Sequence, residues 1–487
     1  MVVDQLGEGV NPFYLGTFIV YLLIVLAIGA WGYRQTTDVN DFWVYGKDLG
    51  PWLATWSYVA NFVSAVSVIG FIGAVYGGGY SILTGIILGL MLGVSALYFV
   101  VHKVRELDKV TFPDIIRELT GREVARPIAA IPLLANAWVY LIMQLVGASL
   151  LVTTITGVPY KYMIWVIGFV FIAYTVMGGL ISVAWTDLIQ GTVMVSTVFL
   201  ALIFIVIDQG GLTAINTQFT QLEAANTMPL GDGAYTIIGM LGSLVAFFGT
   251  IFTSQGTIIR INATKDIRTA KIHLAFGGLI LSVFYMALIL LGGGVDVALH
   301  NAGLANFENV DQAFPVFITE YLPTGIGVIV ILAVMSAILS TTDTRLHSTG
   351  VTTARDIYDW YAEDASDEQL MKVSRIATIF WGLTATAMAV DPPGTIITLY
   401  TFRAILLTSA FLIPIYLGLY WRGVAGNAVI ASIIVGTILG VGWDLSGGFF
   451  GVPATFMGVG GAILALVIGH YIWSESGGSP TATAAGE

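Results

Sequence analysis

Thirteen separate runs of apolar residues, each about as long as a bilayer is thick, constrain this chain more than anything else in it. A run of about 17 to 25 apolar residues crosses the hydrocarbon core as an α-helix, because in lipid each backbone N–H and C=O must find its partner inside the segment. Such runs lie near 13–33, 51–76, 81–101, 128–156, 160–180, 182–207, 234–258, 272–295, 322–349, 373–390, 395–420, 423–443 and 452–473. Of the 487 residues only 10% are charged, against about 25% in a soluble domain. The expected class is an all-α integral membrane protein with about thirteen transmembrane helices. The 57 glycines fit helices that approach one another closely in a membrane.

The polar residues between the runs set orientation and exclude several functions. Loops facing the cytoplasm retain Lys and Arg. The loop 102–127 carries Lys103, Arg105, Lys109, Arg117, Arg122 and Arg126, and 259–271 carries Arg260, Lys265, Arg268 and Lys271. The alternate loops 208–233, 296–311, 391–394 and 444–451 carry none, with Lys161 the one exception. The N-terminus is therefore expected outside and the C-terminus in the cytoplasm, across the plasma membrane. Residues 1–12 hold Asp4 and Glu8 but no Lys or Arg, so the first run lacks the basic region of a cleaved signal peptide and reads as a retained span. A net charge of -11 argues against nucleic acid as a partner, and zero cysteines exclude disulfides, thiolate metal sites and cysteine nucleophiles.

Setting the leading run aside, five spans in 51–207 precede five more in 234–420, with two trailing spans in 421–473. An odd number of spans per copy inverts the second relative to the first, the plan of many secondary transporters. The expected organisation is 1–50 as N-terminus, leading helix and first inner loop, 208–233 as an outer loop between the copies, and 474–487 as a polar, disordered tail.

Polar residues inside the runs mark candidate sites. In ILAVMSAILSTTDTRLHSTG, residues 331–350, Ala337, Ser340, Thr341, Thr344 and Ser348 share one helical face. Such hydroxyls can ligate a hard cation such as Na+, or bond to neighbouring helices and their own carbonyls. The run 51–76 places Ser57, Ala60, Asn61 and Ser64 on one face, which permits either unwinding around an ion or ordinary close packing. Asn136, Tyr140, Gln144 and Gly147 recur at helical spacing in 128–156, suited to substrate contact or to an interhelical hydrogen bond. Arg403 reads as the one basic residue deep in a span. An intramembrane charge is expensive, so an anionic substrate is a natural partner, with snorkelling the alternative. Asp187 and Asp343 sit toward inner helix ends, fitted to draw a cation inward or to cap a helix. No metal-ligand spacing among the histidines and no phosphate loop supports an enzyme.

The run GVPYKYMIWVIGFVFIAYTVMGGLIS, 157–182, resembles the signature of the sodium:solute symporter family. The stretches LGPWLATWSYVANFVSAVSVIG, WTDLIQG and LSTTDTRLHSTGVTTARDIY are also similar to it, so the resemblance runs from about Asp41 to Trp421. It implies a LeuT-like 5+5 inverted-repeat core with one leading and two trailing helices. It implies a sodium site made by the main-chain oxygens of Ala60, Val63 and Ala337 and the hydroxyls of Ser340 and Thr341, with Asp187 on the sodium exit route. Sugar-carrying relatives have a Glu-Gln pair where Val66-Ser67 stand here, and proline-carrying relatives have an Asp where Phe62 stands, which argues against both substrates. The texture of YLIMQLVGASLLVTTITGV is closest to pantothenate and monocarboxylate carriers.

The expected function is sodium-coupled symport of a small, anionic organic solute by alternating access, with Na+ as coupling ion and no organic cofactor. Ser67, Tyr140, Gln144 and Arg403 are the substrate candidates. An amino-acid or sugar symporter of the same family is the alternative. A channel would need a repeated filter motif, and a membrane sensor an output domain beyond the last span. The sequence leaves the oligomeric state open.

Overall fold

Helices are the regular structure throughout the computed structural model, which describes residues 12–35, 50–107, 111–231, 236–307, 309–362, 365–421 and 423–474, and no strand occurs among these. Nine of the helices are long and apolar enough to cross a membrane, or ten if the bent pair Pro51–Phe62 and Val66–Gly78 is one span. The all-α expectation holds, but the count of thirteen is not reached by this measure. Pro12–Ile24 and Tyr160–Val176 are shorter apolar segments, and Asp367–Ala389, at the expected span 373–390, is more polar.

One expected boundary is absent as a break in the helix. Hydrogen-bonded helix runs from Tyr160 to Asp208, 49 residues, where the sequence reads two spans. Both ends nevertheless reach the same end of the bundle. The Tyr160 hydroxyl donates to the carbonyl of Ala389, just before the loop that leads to Ile396. Asp208 bonds to the Tyr321 hydroxyl, and the segment holding Tyr321 is tied to Ile396 through Asp311. A straight helix of this length would extend about 73 Å, more than one crossing requires.

Glycine permits close approach between the two halves of the chain. Gly85, Gly89 and Gly93 recur every fourth residue on Ser81–Leu107 and face helix Ile237–Phe252. A Cβ at Gly85 would lie 2.5 Å from the Met240 carbonyl oxygen, and one at Gly89 2.5 Å from that of Leu244. This is the small-residue seam expected where lipid offers no hydrophobic drive for association and contact must come from backbone proximity.

Two features were not expected as elements. The segment 310–321 folds as three short helices whose Asp311, Phe314 and Phe317 are buried. At the opposite end, helix Phe112–Thr120 lies within the basic loop, capped by the Thr111 side chain. There Arg126 faces Asp356 at 3.6 Å and Asp359 at 3.5 Å, and Arg355 pairs with Asp114 at 3.0 Å.

Candidate functional site

The site forms where two membrane helices stop and restart. Helix Pro51–Phe62 ends at Val63, whose backbone is extended (φ -88°, ψ 115°), and the chain resumes at Val66 after a bend of 54°. Ile237–Phe252 likewise ends at Thr253, with Ser254 extended before Gln255–Ala263 begins. Gly256 lets the second break close on the first, since a Cβ there would meet the Asn61 amide oxygen at 2.6 Å.

An interrupted helix in lipid exposes backbone groups that must be satisfied by other parts of the protein. The Phe62 carbonyl accepts from the Ser67 hydroxyl at 2.6 Å and from the Tyr285 hydroxyl at 3.2 Å. The Ala65 N–H donates to Gln144 Oε1 at 3.1 Å. Val63 O lies 3.3 Å from Thr341 Oγ1, across 278 residues of sequence. No backbone hydrogen bond closes from Ser64 onto Ala60 among the described residues, so the break leaves the Ala60 carbonyl open.

The hydroxyl stripe on Thr324–Thr352 meets this break. Thr341 Oγ1 donates to Ala337 O at 2.6 Å, and Ser340 Oγ lies 3.3 Å from the same oxygen. Oxygens about 3.4 Å apart are what two ligands at right angles on one ion have when each bond is about 2.4 Å. Ala60, Val63, Ala337, Ser340 and Thr341 are all buried. Four of them, Val63, Ala337, Ser340 and Thr341, are linked by these short oxygen contacts. Ala60 stands beside them on the broken helix, packed against Gly191. The donors are all oxygen and none is charged, a set that fits a hard monovalent cation. Asp187 belongs to the stretch Tyr160–Asp208, but its side chain lies outside the described residues.

Beside this oxygen cluster is a small cavity of ≈ 10 Å³, about the smallest void that admits a water molecule. The first break contributes Asn61, Phe62, Ser64, Val66 and Ser67, the second contributes Ser254, and three other helices add Tyr140, Arg345, Tyr400 and Arg403. None of these ten residues is acidic. Arg403 is 3% exposed, and its guanidinium carbon lies 4.8 Å from the Tyr140 ring centroid and 5.3 Å from that of Tyr400. These are cation–π distances, and the arginine does not snorkel to either surface.

Three of the four substrate candidates, Ser67, Tyr140 and Arg403, line the cavity. Gln144 does not; its Oε1 accepts from the Ala65 N–H instead. The reading of Arg403 as the one deep basic residue is corrected. Arg345 lines the same cavity at 6% exposure, and Arg260 is 7% exposed with Nε 2.9 Å from Ser57 Oγ. Both sit in runs of polar sequence that resemble loops. The helices continue through them, to Thr352 and Ala263, and that continuity is what buries them.

Two broken helices meeting around a small cavity inside a bundle of apolar, membrane-length helices are the architecture of secondary transporters with discontinuous helices. The chain's neighbours among solved structures share this fold. A Na+-coupled sialic acid symporter, solved in a substrate-bound outward-open state, matches with a TM-score of 0.78 at 21% identity, covering 96% of this chain and 98% of its own. MhsT in complex with L-phenylalanine matches with a TM-score of 0.56 at 13% identity, covering 87% and 98%.

The model of the sodium:solute symporter family matches residues 42–436, and the chain belongs to that family. The osmoregulated proline transporter OpuE of Bacillus subtilis (strain 168) is 26% identical over 442 residues, 88% of each chain. A sodium/pantothenate symporter of Haemophilus influenzae is 26% identical over 430 residues, 86% of this chain and 87% of its own.

Proposed function

We propose that this protein is a sodium-driven symporter that carries a small organic carboxylate into the cell across the plasma membrane. The observation that carries the reading is the 3.3 Å approach of Thr341 Oγ1 to Val63 O beside a cavity whose ionised lining groups are guanidiniums. Na+ takes the carbonyls of Ala60, Val63 and Ala337 and the hydroxyls of Ser340 and Thr341. The Thr341 proton turns away from Ala337 O as the ion arrives, and bound Na+ fixes the broken helix against Thr324–Thr352. The substrate carboxylate then docks on Arg403, with Ser67 and Tyr140 as neutral contacts. Asp187 serves the departing ion on the inner side.

The names of the relatives support this reading as far as chemistry goes, since proline, pantothenate and sialic acid each carry a carboxyl group. Proline itself fits the cavity poorly, because none of the lining residues offers negative charge to its ammonium group. A cavity of ≈ 10 Å³ is too small for an organic substrate, so loading requires the half-helices to part. One positive charge crossing 100 mV supplies about 2.3 kcal/mol before any sodium gradient is added. Uptake of radiolabelled organic acids, amino acids and sugars into proteoliposomes, with and without an inward Na+ gradient, tests the reading. Sodium-dependent uptake of a carboxylate that Arg403→Ala abolishes is expected. Uptake indifferent to sodium, or a carried solute without negative charge, overturns it.

A further inference from the structure

The cavity holds two cations where a single carboxylate needs one. Arg345 and Arg403 come from different helices and place their guanidinium carbons 5.1 and 4.8 Å from the centroid of the same Tyr140 ring. Among the described residues neither makes an ion pair, and the Nε of each has no hydrogen-bond partner. Their polar and aromatic contacts are neutral: Asn61 Oδ1 at 3.5 Å from Arg345 Nη2, and the rings of Tyr140 and Tyr400 around Arg403.

Cation–π contacts lower the cost of burying a guanidinium without cancelling its charge. Two like charges facing one ring repel each other strongly where water is scarce. A sodium ion at Thr341 adds a third positive charge, one helical turn from Arg345. The walls of the cavity supply no carboxylate in return, so the compensating charge has to come with the cargo. The open Nε atoms also have a shape. Arginine grips a carboxylate in a planar fork of two parallel N–H donors, and a side-on fork uses Nε, the atom left open on both side chains.

We propose that the substrate is a small dicarboxylate, with one carboxylate held by Arg345 and the other by Arg403. This rests on the reading of the protein as a carboxylate symporter and narrows it to dianions. Full-length protein in proteoliposomes is given an inward Na+ gradient, and uptake is compared within pairs of equal chain length: succinate against butyrate, and glutarate against pentanoate. The dicarboxylate of at least one pair is expected to show a kcat/KM about tenfold or more above its partner. Arg345→Gln is expected to remove most of that preference, and Arg345→Lys to keep part of it. If Arg345→Gln does not fold, as judged by size-exclusion chromatography, the wild-type ratio decides alone. Monocarboxylates carried as well as or better than both dicarboxylates would overturn the dianion while leaving carboxylate symport standing. Sodium-driven uptake of neither class would remove both.

Discussion

Gln144 Oε1 holds the backbone N–H of Ala65 at 3.1 Å, joining helix Ala125–Thr156 to the restart of the broken helix. Both groups are buried, and without the amide the first N–H after the break would face the interior unpaired. Gln144→Leu is expected to cost about 1–3 kcal/mol of stability, read as a lower melting temperature in detergent. Gln144→Glu keeps an acceptor oxygen and is expected to lose less. Equal stability of wild type and Gln144→Leu would show that the break is held by other contacts.

Thr341→Val removes the hydroxyl nearest Val63 O while preserving shape and the β-branch. The Na+ concentration for half-maximal uptake is expected to rise about tenfold or more, equivalent to about 1.4 kcal/mol of lost ion binding. The substrate KM at saturating Na+ should change less. Ser340→Ala is expected to act in the same direction. A titration of uptake against Na+ at fixed ionic strength checks both variants.

Asp311 gives a pH dependence whose sign follows from its surroundings. Burial pushes its carboxyl up to about 7, and the hydrogen bond it accepts from the Ile396 N–H, at 2.8 Å, only partly offsets this. A group with a folded pKa above its unfolded value of 3.8 binds more protons in the folded state. Its contribution to stability is therefore fully present below about pH 4 and is lost as pH rises through about 7. Asp311→Asn is expected to flatten the fall in melting temperature between those limits. An unchanged pH profile in the variant would show that Asp311 does not set it.

Gly89→Ala tests the seam between Ser81–Leu107 and Ile237–Phe252. Its Cβ would come 2.5 Å from the Leu244 carbonyl oxygen, and a backbone atom cannot swing aside as a side chain can. A loss of about 1–3 kcal/mol is expected from overpacking, with a fall in transport as the second broken helix is pushed off its partner. Thermal unfolding and uptake measured together check it.

Much of this arrangement was legible in the chain because lipid leaves a helix few options. Span length, the stripe of hydroxyls from Ser340 to Ser348, and the burial of Arg403 all follow from the cost of burying polar groups in hydrocarbon. The break at Thr253–Ser254 was not visible, because GTIFTSQGT contains no proline and reads as a continuous helix. Just after it, Gly256 packs against Asn61, which lies about 190 residues earlier in sequence. Arg345 escaped for a related reason. In TTDTRLH the polar residues look like the end of a span, and only the packing of neighbouring helices buries them. Gln144 was placed on the correct inward face. Whether it meets substrate or backbone depends on where the facing helix unwinds, which periodicity does not record.

The guanidiniums of Arg345 and Arg403 belong to the carrier and stay behind when its cargo departs. On the proposed reading, a carrier that releases an anion inside the cell must then reset with those fixed cations exposed to whatever part of the membrane voltage falls across the vacated centre. An interior-negative potential resists moving them back outward, by about 2.3 kcal/mol for each full charge crossing 100 mV. Voltage would accordingly brake the homeward half of the cycle, and the rate at which an empty carrier recovers would be where the cell feels the placement of these two side chains.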